Sequence, residues 1–111
     1  MSVAMMISNP VNDEEKIFYI PISTEKVFHD YWMPIIEELD LKRAKYFQIG
    51  IEIEKKDLKS VLKELAEIQA WIVKYMNSER GEDMIERLEN LTKGLMKILN
   101  SPRSDIKVYI G

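Results

Sequence analysis

Few side chains in this sequence could do chemistry. His29 is the only histidine, placed between Phe28 and Asp30 with Glu25 one helical turn earlier. A histidine oriented by a carboxylate can serve as a general base. No second histidine, cysteine or glycine-rich turn accompanies it, so a helix-surface residue is the simpler reading. Glu52, Glu54 and Asp57 form a second group, of the kind that can hold magnesium or calcium. A calcium loop needs a regular run of oxygen ligands and a glycine bend, and this stretch has neither. Glu52 and Glu54 share a strand face, while Asp57 is placed to cap the helix that follows. The serines lack a GxSxG setting, which argues against a serine hydrolase. Gly50 stands alone, outside any phosphate-binding glycine pattern. Lys42, Arg43 and Lys45 precede Tyr46 and Phe47 in the manner of a basic-plus-aromatic nucleic-acid surface. Three charges in a connector of an acidic protein read more simply as a solvated loop. No catalytic signature emerges, and the expectation is a protein that is not an enzyme and uses no cofactor or metal.

Composition points the same way. The chain has 111 residues, 46% hydrophobic and 32% charged, proportions typical of an ordinary globular protein. One domain over 1–111 could bury roughly two-thirds of its unfolded surface without staples. A formal net charge of −3 argues against a general nucleic-acid binder, whose affinity rests on neutralising phosphates. The absence of cysteine removes disulfides, thiolate metal sites and thiol nucleophiles. The opening Met-Ser-Val-Ala-Met-Met-Ile-Ser has no basic leader and is too short to span a bilayer, so a cytoplasmic location is expected.

The organising element is the stretch from Asp57 to Asn77. Leu58, Val61, Leu62, Leu65, Ile68, Ile72 and Met76 recur at three- and four-residue steps, one stripe of an α-helix. Lys59, Lys63, Glu64 and Glu67 are expected to point to water. Trp71 to Met76 is apolar nearly all round, which predicts cover from more than one side. Upstream, residues 3–7 and Ile17–Ile22 flank a polar turn and suggest a hairpin, with Pro21 at an edge or strand end. Ser23 or Thr24 should cap a helix whose stripe runs from Val27 to Leu39, kinked near Asp30–Trp32 by Pro34. Residues 40–45 read as a connector and Tyr46–Glu54 as a strand, with Phe47, Ile49, Ile51 and Ile53 on its buried face. Gly81 is placed to end the long helix. Asp83 and Glu86 resemble a capping box for the last helix, and Asp83–Arg87 and Glu89–Lys93 are paired by charge. Ile106, Val108 and Ile110 alternate in a final strand.

The order is β-β-α-β-α-α-β. It predicts an α+β fold: a two-layer sandwich of a four-stranded mixed sheet with three helices on one face. If the second and third strands are parallel, their connection is a right-handed crossover.

The helix with Tyr31-Trp32, the strand ending Gly50-Ile51-Glu52-Ile53, and Leu58 followed by Glu64-Leu65-Ala66-Glu67-Ile68 resemble small bacterial immunity proteins of polymorphic-toxin systems. The final helix and short strand fit that layout, and the likeness covers most of the chain as a pattern of elements. It implies a cytoplasmic protein, not an enzyme, that binds and blocks a cognate toxin without a cofactor.

The residues themselves suggest where contact would be made. If one sheet face meets the helices, the other displays Tyr19, Gln48, Glu52 and Tyr109, a mixture suited to protein contact. Trp71, at the crowded end of the long helix, is the rival site. The expected partner is a protein, with no nucleic acid and no membrane. The alternative is a structural or regulatory homo-oligomer that pairs through the same surface.

Overall fold

The computed structural model describes residues 2–111; Met1, which opens the stretch examined for a leader, lies outside them. The fold is α+β, as the pattern of elements predicts. Its four strands are β1 (Ser2–Ile7), β2 (Tyr19–Thr24), β3 (Ile51–Glu54) and β4 (Lys107–Ile110), in the spatial order β2-β1-β4-β3. All three pairings are antiparallel, where a mixed sheet is expected from sequence. The last strand inserts between β1 and β3, which sends β2 and β3 to opposite edges. Three successive antiparallel pairings also make β2 and β3 run in opposite directions, so the condition for a right-handed crossover does not arise. As an edge strand, β2 tolerates Pro21, whose missing N–H would break a central ladder.

The β1–β2 connection holds a short helix, α1 (Asp13–Ile17), where a polar turn is expected. The side chain of Asn12 caps it by accepting from the Glu15 N–H at 2.8 Å. Ile17 ends this helix and is exposed, so β2 begins at Tyr19 and not at Ile17.

Thr24 caps the next helix, as its type suggests, accepting from the Val27 N–H at 3.2 Å. This helix runs through α2 (Glu25–Val27), a π-helical turn (Phe28–Trp32) and α3 (Met33–Leu39). The irregularity falls where Pro34 predicts it. Proline cannot donate, and the ladder widens just upstream, the Met33 N–H reaching back to the Phe28 carbonyl. Phe28 and Trp32 stack in the core with ring centroids 5.8 Å apart. Asp40 ends α3 in the left-handed conformation at φ 51°.

Residues 40–50 depart most from expectation. The period-two run from Phe47 yields a strand only from Ile51 onward. Ala44–Tyr46 form a 3₁₀ turn, the Gly50 N–H bonds to the Tyr46 carbonyl at 2.8 Å, and Gly50 takes φ 112°. Only glycine adopts that backbone readily. Phe47 is buried by this turn, whereas Ile49 is 78% exposed. Alternation inside a turn has mimicked a strand.

Helices α4 (Leu58–Tyr75) and α5 (Glu79–Leu99) pack against each other. Leu58, Val61, Leu65, Ile68 and Ile72 are buried as the stripe predicts. Asp57 stands at the start of α4 but makes no capping bond; its carboxylate pairs instead with Arg43 at 3.3 Å. Glu64 is buried, against the expectation that it faces water. The C-terminal half of α4 is not covered on every side either, because Val73 and Tyr75 remain exposed. Gly81 lies inside α5, not after α4. Ser78 is the cap of α5, accepting from the Gly81 N–H at 3.2 Å, so no box forms at Asp83 and Glu86. The bare Cα of Gly94 lets α5 approach the sheet, since a Cβ there would lie 2.3 Å from Ile20 Cδ1.

Val3, Met5, Ile7, Ile22, Ile53, Val108 and Ile110 point from the sheet into one core shared with the helices. The other sheet face carries the alternating residues of each strand.

Candidate functional site

On that second face the antiparallel register places Tyr19 opposite Met6, Met6 opposite Tyr109, and Tyr109 opposite Glu52. These residues form one row across all four strands. Neighbours in such a row have Cβ atoms roughly 5 Å apart. Tyr19 is 54% exposed, Glu52 is exposed, and Met6 and Tyr109 are half-buried. Three of the four sheet-face residues expected from sequence are thereby brought together, and Met6 completes the row.

The position of Tyr109 has a local cause. A Cβ on Gly50 would lie 2.2 Å from its hydroxyl oxygen, and one on Gly111 2.6 Å from it. The phenol therefore lies over two glycines, which fixes the ring against the sheet and accounts for its partial burial. At the far end of the row the Glu52 carboxylate accepts from the Ser8 hydroxyl at 3.0 Å and sits 3.9 Å from the Lys107 ammonium. The row thus offers two phenols, a thioether and a tethered carboxylate.

Gln48 does not join it. Its place is in the turn before β3, where its amide donates to the Glu25 carbonyl at 3.4 Å. Trp71 is also separate, in the helix layer. Its indole N–H donates to the Glu38 carboxylate, and its ring lies 5.0 Å from that of Tyr75. Nearby, the Lys74 ammonium lies 5.2 Å from the Tyr75 ring centroid.

The residues weighed for chemistry are dispersed. His29 is exposed on the π-helical turn, and Glu54 pairs with Lys56 at 3.6 Å. No group of three or more His, Asp or Glu suited to a metal occurs among the described residues. The basic stretch is largely neutralised in place: Lys42 bonds to Asp40 at 2.8 Å and Arg43 to Asp57. The Lys42 hydrogen bond holds the Asp40 carboxyl below its usual range and the ammonium above its own. The Lys26–Asp30 pair does the same. Both pairs are on the surface, where salt screens them.

Sequence reasoning missed a cleft of about 400 Å³ between α1 and the segment before β4. Ile7, Phe18, Ile98 and Ile106 line it. Arg103 spans its rim, donating to Glu15, to the Asn9 carbonyl at 2.6 Å and to Asp105 at 3.0 Å. Those bonds fasten α1 to the body of the protein. No sequence signal marks a contact between residues so far apart in the chain.

No family model matches the sequence, and neither a curated protein nor a solved structure matches it. No described helix is long and apolar enough to cross a membrane.

Proposed function

We propose that this chain is a protein-binding module and not an enzyme: an immunity protein that binds and neutralises a cognate bacterial toxin through the open face of its sheet. The observation that carries the reading is the cross-strand row Tyr19–Met6–Tyr109–Glu52 on the sheet face turned from the core, with Tyr19 and Glu52 exposed at its two ends. Tyrosines give a large contact area at low side-chain entropy cost and are frequent hot spots. The ring of Tyr109 is already held over Gly50 and Gly111, so little of its freedom remains to be lost on binding. A net charge of −3 suits encounter with a basic toxin, because complementary fields speed association.

Co-expression with a toxin encoded beside this gene is the test. Protection of growth by the wild type, lost in folded Tyr19→Ala and Tyr109→Ala variants, supports the reading. A folded Trp71→Ala variant that alone loses protection would move the interface to the helix layer. Should the wild type give no protection and sediment as a stable dimer that the tyrosine variants dissociate, the face pairs with itself and the protein is a homo-oligomer.

A further inference from the structure

A second polar constellation lies away from the sheet face, at the edge where β2 meets the start of α5. Arg80, Asp83 and Arg87 follow one another at three- and four-residue steps, on one side of α5. A bulge in the β1–β2 pairing, between Val3 and Ala4, gives β2 an extra residue. Ser23 and Thr24, next to it, lie at the same place as the arginines. With Trp32 from the π-helical turn, these residues line a cleft of about 120 Å³.

Its donors are in excess. Trp32 is 1% exposed, and its indole Nε1 has no hydrogen-bond acceptor among the described residues. Buried donors are nearly always paired, so a group in this position calls for an acceptor. Arg80 and Arg87 are half-buried, and no ion pair among the described residues includes either. Asp83, expected from sequence to pair with Arg87, is exposed and makes no ion pair there either. The Arg80 guanidinium lies 4.8 Å from the centroid of the Tyr31 ring, which limits its freedom. The Thr24 hydroxyl oxygen accepts from the Val27 N–H, leaving its proton to donate outward. Ser23 is spent on the Thr24 carbonyl. Two guanidiniums against one carboxylate leave the lining one unit positive.

We propose that this cleft binds a tetrahedral oxyanion, either inorganic phosphate or the phosphoryl end of a small monoester. Indole and guanidinium groups donate and never accept, so their partner must be rich in acceptors. A tetrahedral anion presents several oxygens to donors arriving from three elements, and charge-assisted bonds from arginine are the strong ones. Water in the cleft would hydrate the guanidiniums but would bring no counter-charge to the positive lining. The volume admits one phosphoryl group, and any larger body remains outside. This site does not depend on the toxin-binding reading.

The indole N–H resonances of the full chain, recorded in ¹H–¹⁵N spectra, test it. The chain has two tryptophans, so a Trp71→Phe variant assigns the Trp32 peak. Inorganic phosphate and glycerol phosphate are titrated separately, with sodium chloride at matched ionic strength as the control. The expected result is a saturable shift of the Trp32 peak by at least one of the phosphates and none by chloride. The tighter of the two identifies the source as free phosphate or monoester. Arg87→Gln and Arg80→Gln should each weaken binding at least tenfold, and Asp83→Asn should tighten it. A shift that merely follows ionic strength, or unchanged affinity in both folded arginine variants, would overturn the proposal.

Discussion

The carboxylate of Glu64, in the middle of α4, accepts from the backbone N–H of Ala44 at 2.8 Å and from that of Arg43 at 3.1 Å. The two segments are 20 residues apart in sequence, and the bond to Ala44 is buried. One side chain thus anchors the irregular connector between α3 and β3 to the main helix. Glu64→Ala should cost about 1.5–3 kcal/mol in chemical denaturation, because buried amide donors would lose a charged acceptor. Glu64→Gln keeps one acceptor oxygen and should cost less. If Glu64→Ala melted like the wild type, the anchor would contribute nothing to stability.

Gly50→Ala should damage both the fold and the contact face. The residue has φ 112°, and a Cβ there would collide with the Tyr109 hydroxyl at 2.2 Å. Backbone strain at such a position costs on the order of 1–3 kcal/mol. The displaced phenol should weaken partner binding in the same direction as Tyr109→Ala. Removing only the hydroxyl, in a Gly50→Ala, Tyr109→Phe double variant, should recover part of the stability loss. Denaturation of the four proteins of this cycle measures the coupling.

Helix capping separates Ser78, which caps α5, from Asp57, the cap expected for α4. Ser78→Ala should cost about 1 kcal/mol, since the hydroxyl accepts from the Gly81 N–H. Asp57→Ala should cost less than about 1 kcal/mol, because its carboxylate caps nothing and only pairs with a partly exposed arginine. Thermal melts of the two variants, side by side, decide the order.

Leu65→Ala should cost about 2–5 kcal/mol, as the side chain is 2% exposed in the core between the helices. A change below about half a kcal/mol in a urea melt would place it on the surface.

The parts of this fold legible in the sequence are those where one period persists over several turns. The stripe of α4, and the alternation of Ile106, Val108 and Ile110, each commit a face to the core, and most of each face is buried. Pro34 announces its role by stereochemistry alone, as a nitrogen that cannot donate, whereas sequence leaves the cap open between Ser23 and Thr24, and the structure selects Thr24. The alternating faces also put Tyr19, Glu52 and Tyr109 on the side of the sheet away from the core, but not Gln48, which lies in the turn before β3. What sequence could not supply was the partner across space. Glu64 reads as a solvent-facing residue until the connector folds over it, because a hydrogen bond between positions 44 and 64 has no local signature. The run from Phe47 to Ile53 satisfies two conformations, and Gly50 with its Tyr46 bond selects the turn for its first half. Strand order, too, was decided only in three dimensions. β4 enters between β1 and β3, and that choice aligns Tyr109 with Met6 on one side and Glu52 on the other.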